Sequence, residues 1–171
     1  MRCKFCNREI HGKEFLYPQG LTTISLCEDC YLFLQDANPS EITQVYWLYA
    51  FRKKGQYPKL ASRSGKWLIF VSPKNVDEVW RKIKKAVEEG RLENSAKVST
   101  AKTNPLRSKR SKGHVICVYT YDWTDKKDVK RIREELRKLG ITKKIPYKAD
   151  EDTLAGRYHT TDHDRVSKYY E

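Results

Sequence analysis

Four cysteines near the start of the chain stand in two CxxC pairs, Cys3-Lys4-Phe5-Cys6 and Cys27-Glu28-Asp29-Cys30, separated by 20 residues. A CxxC presents two thiols from one tight turn, and two such pairs supply the four soft ligands of a tetrahedral Zn²⁺. Two disulfides or a redox pair are the competing chemistry for cysteines so spaced. The complete ligand set and its spacing favour one structural Zn²⁺ held by Cys3, Cys6, Cys27 and Cys30. No further ligand or ready base stands close by in the sequence to make the ion catalytic. A segment this short has too little apolar area for its own core, and a bound metal supplies the missing stability.

Charge is the second chemical feature. The 171 residues carry 35 Lys and Arg against 22 Asp and Glu, a formal net charge of +13. That balance suits a polyanionic partner: RNA, DNA or a ribonucleoprotein such as the ribosome. A thermophile-type surface is rich in Lys and Glu together and does not account for an excess of one sign. The densest acid-free basic run is Lys97 to Lys112, with Lys97, Lys102, Arg107, Lys109, Arg110 and Lys112 between two predicted strands. His114, Tyr121 and Trp123 follow on the second strand or just past it. Cations neutralise phosphates and exposed aromatics stack on bases, so these nine residues form the expected nucleic-acid contact.

Other chemistry is not encoded. The sequence offers no Ser-His-Asp set, no glycine-rich phosphate loop and no carboxylate pair at fixed spacing, and no catalytic residue is assigned. No apolar run approaches the ~20 residues needed to span a bilayer. Met1-Arg2-Cys3 enters the cysteine motif at once, without the pattern of a signal peptide. Cys117, inside Val115-Ile116-Cys117-Val118, reads as a core thiol. Metal-type cysteines plus one buried thiol suit a reducing cytoplasm.

The elements that position these residues follow from periodicity. Residues 1–37 read as a zinc-binding finger: a knuckle, two short strands at Phe15–Tyr17 and Thr22–Leu26 around Pro18-Gln19-Gly20, and a helix opening at the second cysteine pair. Residues 38–171 read as a second domain. Asn38-Pro39-Ser40-Glu41 has the signature of a helix start, and Ile42, Val45, Tyr46 and Tyr49 then share a helical face, with Gly55 as the stop. Trp67–Val71 reads as a strand apolar on both faces. A helix follows, capped by Asn75, with Val76, Val79, Trp80, Ile83 and Val87 inward and Gly90 ending it. Ala96–Ser99 and His114–Tyr121 read as strands. Asp125 opens a last long helix with Val129, Ile132, Leu136 and Leu139 inward. Weaker strands are expected at residues 144–148 and 156–160. Consecutive strands mixed with strand–helix units argue an α+β fold: a mostly antiparallel sheet with helices on one face.

Several separated stretches carry a resemblance. Ser64–Val71, Val76–Trp80, Ala96–Ser99, His114–Asp122, Leu139-Gly140-Ile141 and Tyr147–Asp150 occur in the order found in the basophilic leukemia-expressed (Bles) protein family, also labelled a phosphothreonine lyase domain. The chain resembles that family over about residues 42–160. The resemblance implies a curved antiparallel sheet backed by helices, as in the cap-binding translation initiation factor 4E, which stacks a methylated guanine between two tryptophans. Of the tryptophans here, Trp80 and Trp67 read as core and Trp123 as exposed at a sheet rim, while Trp47 lies beside its predicted helix's apolar face. The lyase label implies a base, an acid and cations, for which Lys97, Lys102, Arg107 and His114 are chemically suitable.

The function expected is RNA binding in the translation or RNA-processing machinery, through the finger and a basic loop and sheet surface. The alternatives are an enzyme acting on a phosphorylated nucleotide, RNA end or phosphopeptide, and a zinc-dependent protein–protein adaptor.

Overall fold

The computed structural model of the chain describes residues 1–105, 113–155 and 167–171. Arg107, Lys109, Arg110 and Lys112, the strand expected at 156–160, and His159 and His163 lie outside the described residues.

The chain opens with a knuckle in which Cys3 N–H donates to Arg8 O (2.9 Å) and Lys4 N–H to Ser25 O (2.9 Å). Asn7 takes the left-handed conformation, φ 61, that such a tight reversal needs. An antiparallel hairpin follows, β1 (Phe15–Gln19) and β2 (Thr22–Leu26), and then helix α1 (Glu28–Gln35). A single 3₁₀ turn at Pro39–Glu41 leads into β3 (Trp47–Phe51). Next come β4 (Gly65–Val71), α2 (Val76–Glu88), β5 (Ser95–Ser99) and β6 (His114–Thr120). The chain closes with α3 (Lys126–Lys138), β7 (Pro146–Ala149), α4 (Asp150–Leu154) and β8 (Tyr169–Tyr170). Among the described residues the main sheet has six strands in the order β3-β5-β6-β4-β7-β8, each pair antiparallel. No described helix is long and apolar enough to cross a membrane.

Strand alternation divides the sheet into two unlike faces. Leu48 and Ala50, Ala96 and Val98, Ile116 and Val118, Trp67 and Ile69, and Tyr147 all point one way and are buried. Helix α2 covers them with Val76, Trp80, Ile83 and Val87, and α3 with Val129, Ile132 and Leu136. Trp67 Nε1–H donates to Val129 O at 3.2 Å, satisfying the indole's one donor inside this layer. The α+β architecture with helices on one face is thus the one the sequence implied. A side chain at Gly65 is excluded by Tyr147, whose hydroxyl would lie 2.3 Å from an added Cβ. That hydroxyl shares a 2.6 Å hydrogen bond with Thr120 across the sheet.

Three expectations are corrected. The helix expected from Asn38 to Gly55 is one 3₁₀ turn and a strand. Glu41 N–H does bond to Asn38 O (3.0 Å), but Ile42 is already extended, and β3 pairs with β5 from Trp47↔Ser99 to Phe51↔Ser95. The spacing of Ile42, Val45, Tyr46 and Tyr49 matched a helix by coincidence, and sheet pairing overrides it. Likewise β4 is not apolar-buried on both sides: Trp67 and Ile69 lie under the helices, whereas Phe70 is 68% exposed on the other face. Asn75, expected to cap α2, makes no side-chain cap bond; Asp77 of the first turn instead accepts from Ser40 N–H (2.9 Å) and Ser40 Oγ–H (2.5 Å).

Two charged side chains in the core escaped the sequence. Arg133 on α3 is fully buried and donates to Ile141 O (2.8 Å), Lys143 O (2.8 Å) and Glu171 O (3.0 Å), tying the chain's end to the helix layer. Glu93, after α2, is 2% exposed, and among the described residues its Oε1 has no hydrogen-bond partner. Burial pushes its carboxyl up to about 8, against the Tyr121 N–H and the cations Arg131 and Arg52, with Asp125 adding to the rise. The unfolded chain ionises this group in the ordinary carboxylate range, while the folded chain keeps its proton until about pH 8. Between those values the unfolded state releases a proton that the fold retains, so stability falls as pH rises and levels off above. Urea unfolding of wild type and Glu93→Gln at about pH 5 and about pH 8 should therefore show a smaller loss in the variant. Equal losses would mean that Glu93 is ionised within the fold.

Candidate nucleic-acid interface and metal centre

The knuckle and the start of α1 bring the four cysteine sulfurs within 4.8 Å of one another. Cys27 is the N-cap residue of α1 and Cys30 lies in its first turn, so the helix start places this pair, and burial pushes the Cys30 thiol up. All five cysteines are free, and the 3.9 Å between Cys6 and Cys27 Sγ is far from the ~2.05 Å of a disulfide. Four sulfurs at metal distances of ~2.3 Å span tetrahedral edges of roughly 3.8 Å, so the donor set fits one thiolate-loving ion. Hydrogen bonding from the Arg8 side chain brings the Cys6 thiol down to about 6.

This module is joined to the sheet through its hairpin. Gln19 acts as a substitute strand: its Oε1 accepts from Tyr46 N–H (2.7 Å) and Trp47 N–H (3.1 Å), and its Nε2–H donates to Trp47 O (2.8 Å). Tyr17, buried at 2% exposure, accepts from Tyr49 N–H (3.1 Å), and its ring meets Tyr49 edge-on at 5.8 Å. Gly20 N–H donates to the Tyr49 hydroxyl at 3.0 Å. The open polar edge of β3 is thereby satisfied, as an edge strand requires.

The face turned away from α2 and α3 carries the alternate residues of the same strands. These are Trp47, Tyr49 and Phe51 on β3, Lys97 on β5, Cys117 and Tyr119 on β6, Lys66 and Phe70 on β4, and Lys148 on β7. Lys97 Nζ stands 4.0 Å from the centre of the Trp47 ring and 5.9 Å from that of Tyr119. Lys66 Nζ approaches the Tyr119 ring at 5.6 Å. It also donates to Asp150 Oδ1 at 2.5 Å, while Ser64 Oγ–H donates to Asp150 Oδ2 at 2.7 Å. Burial lowers the pKa of Lys97 and of Lys148, and Lys66 adds to the lowering of both. Lys66 and Lys148 are buried and face the carboxylates of Asp150 and Asp152, while the half-buried Lys97 stands among the aromatic rings, an arrangement that can attract an anion at Trp47.

The predicted contact residues fall in different places. Lys97 is on this face, within the strand expected at Ala96–Ser99. Lys102 Nζ donates to Gln44 O at 3.2 Å and lies 4.3 Å from the Tyr46 ring centre, beside the start of β3. His114 is 5% exposed, and its Nδ1–H donates to Ser99 O at 2.6 Å, so the ring holds two strands together. Tyr121, half-buried, donates its hydroxyl to Asp125. Trp123 is half-buried beneath Lys168 Nζ, 4.6 Å from the ring centre. Trp47, Lys66 and Lys148 were missed. The period-two pattern Trp47-Leu48-Tyr49-Ala50-Phe51 would have revealed the first.

No pair of tryptophans faces across a gap. Trp67 and Trp80 are buried under the helices. The pairing sets Trp47 level with Val115, whereas Trp123 lies beyond Thr120, five residues further along β6. At ~3.3 Å per residue that separates them by more than about 16 Å along the strand.

The fold is similar to that of solved eIF4E chains. Schistosome eIF4E, complexed with m7GpppA and 4E-BP, superposes with a TM-score of 0.58 at 21% identity, over 88% of this chain and 84% of that one. Caenorhabditis elegans eIF4E-3, complexed with the 4E-binding protein Mextli and a cap analog, gives 0.53 at 24% identity, over 78% and 80%. Ascaris suum eIF4E-3 with an m2,2,7G cap gives 0.52 at 19%, over 87% and 84%. These likenesses define the class of fold. Residues 58–153 match the family model of basophilic leukemia-expressed protein Bles03, and the chain belongs to that family. The match takes in β4 to β7 with α2 and α3, and leaves out the cysteine module and β3.

If the thiols hold a metal, elemental analysis of protein purified without added metal should find one equivalent per chain, lost in Cys27→Ser. Because Gln19 and Tyr17 hold the N–H groups of Tyr46, Trp47 and Tyr49, hydrogen exchange at those three amides should accelerate in the variant. Metal-free protein with unchanged exchange at these amides would contradict both the centre and its coupling to β3.

Proposed function

We propose that this chain is an RNA-binding protein of the translation or RNA-processing machinery, working in the cytoplasm. The open face of the sheet is its contact surface, and one structural Zn²⁺ on Cys3, Cys6, Cys27 and Cys30 organises the module that braces β3. The observation that carries the reading is Lys97 Nζ 4.0 Å above Trp47, with Tyr119 and Lys66 beside it on the face turned away from α2 and α3. Aromatic faces stack bases without regard to sequence and the lysines neutralise phosphates. The basic stretch supports the reading as a sequence feature: Arg107, Lys109, Arg110 and Lys112 stand in the chain between β5 and β6, without an acid among them. The eIF4E relatives carry cap analogs and 4E-binding proteins in their solved complexes, which agrees with a role in translation.

A second reading, a protein adaptor, is favoured by Leu32 and Phe33 of α1, which are 57% and 55% exposed, with Phe5 5.7 Å from Phe33. The two uses occupy different surfaces of one chain.

Fluorescence anisotropy with a short single-stranded RNA tests the proposal. Affinity should fall with salt at about −0.7 log units per phosphate neutralised. Trp47→Ala should cost about 1–3 kcal/mol of binding, as loss of a stacking platform does. Leu32→Ser with Phe33→Ser should leave RNA affinity unchanged. RNA affinity indifferent to Trp47 and to salt would refute the open face as the contact.

A further inference from the structure

The charge at the Trp47 ring bears on which bases the face accepts. A base methylated at N7 carries a positive charge, and a site that holds such a base presents electron-rich ring faces and a carboxylate to it. The open face here is built with the opposite sign. The Trp47 ring already has an ammonium on it, Lys97 Nζ at 4.0 Å, and the same cation reaches toward Tyr119 at 5.9 Å. Among the described residues, no carboxylate lies within salt-bridge distance of Lys97. The acids bordering this face lie at the β4–β7 side of the sheet: Asp150, held by Lys66 Nζ (2.5 Å) and Ser64 Oγ (2.7 Å), and Asp152, 3.7 Å from Lys168 Nζ. No second tryptophan opposes Trp47, because Trp67 and Trp80 are buried and Trp123 stands past the far end of β6.

Resting on the RNA-binding reading above, we propose that the open face takes nucleotides with an uncharged base and discriminates against a cationic, N7-methylated guanine. Lys97 is the specificity residue. Its ammonium attracts phosphate and repels a second cation brought to the same rings. Lys66, paired with Asp150, and Lys148 adjoin it along the row that pairs Tyr119 with Lys66 and Lys66 with Lys148. The face would therefore serve unmethylated RNA, although the solved complexes of the same fold contain m7GpppA and an m2,2,7G cap.

Isothermal titration with GTP and with 7-methyl-GTP at mildly acidic pH, where the methylated base keeps its charge, compares two ligands with the same triphosphate. GTP should bind tighter by about fivefold, the scale of one lost cation–π contact and its repulsion. Lys97→Gln should weaken GTP and bring the two affinities together, and Lys97→Arg should preserve the preference; thermal unfolding checks that both variants are folded. Equal or tighter binding of 7-methyl-GTP by the wild-type protein would overturn the inference while leaving RNA binding intact. If neither nucleotide binds although the single-stranded RNA does, the face does not select on the base, and the inference also fails. If the RNA fails to bind as well, the RNA-binding reading falls with it.

Discussion

Helices α2 and α3 pack the apolar core against one face of the sheet, and most of what the molecule offers to a partner follows from that constraint. Helices α2 and α3 claim every second residue of β3, β5, β6 and β4 for the core, and the intervening residues must point away. A one-residue slip of register would exchange Trp67 with Lys66 and Val98 with Lys97, burying ammonium groups under the helices at a cost of several kcal/mol each. The pairing is thus fixed by the core, and the core's requirements deliver Lys97, Trp47, Tyr119 and Lys66 to the same surface. Each large apolar side chain in the helix layer contributes about 1.5–3 kcal/mol on burial, which gives the scaffold the rigidity a binding face needs.

The cysteine module solves a second problem, the exposed edge of β3. Gln19 and Tyr17 supply donors and acceptors that a neighbouring strand would otherwise provide, and Tyr17, Leu26 and Leu34 join the same buried cluster as Leu48 and Ile42. The knuckle, the hairpin and α1 have little apolar area, and a metal bound to four sulfurs would convert its binding free energy into their order. The position of Trp47 then depends on residues nearly thirty positions earlier in the chain. The Bles03 match begins after β3, so the ring facing Lys97 comes from outside the matched segment.

How much of this was legible in the sequence depended on whether a pattern was local. The two CxxC pairs announce their chemistry because four ligands at close spacing have few other uses, and the sulfurs do converge. Helices α2 and α3 and strands β4 to β6 follow from apolar periods that tertiary packing reinforces. β3 misled because Pro39 and Glu41 begin a turn that looks like a helix, and only the distant partner Ser95–Ser99 decides otherwise. Lys97 was grouped with the basic run that follows it, whereas the sheet separates it from that run and sets it on Trp47. Arg133 and Glu93 were invisible as buried groups, since a polar letter on a helix or in a turn reads as solvated unless its partners, carbonyls far along the chain, are known. His114 was read as a nucleic-acid contact, and its bond to Ser99 O makes it part of the sheet.

On the reading proposed above, RNA sits on the sheet face turned away from α2 and α3. Amide and side-chain chemical-shift mapping of the isotope-labelled full chain, titrated with a short single-stranded RNA, locates the contact without altering any residue. The indole and backbone signals of Trp47, the amides of Lys97 and Tyr119 and the Lys66 side chain should move together and saturate at one equivalent. Shifts confined to α1 or to the outer surfaces of α2 and α3, with Trp47 and Lys97 unmoved, would contradict it.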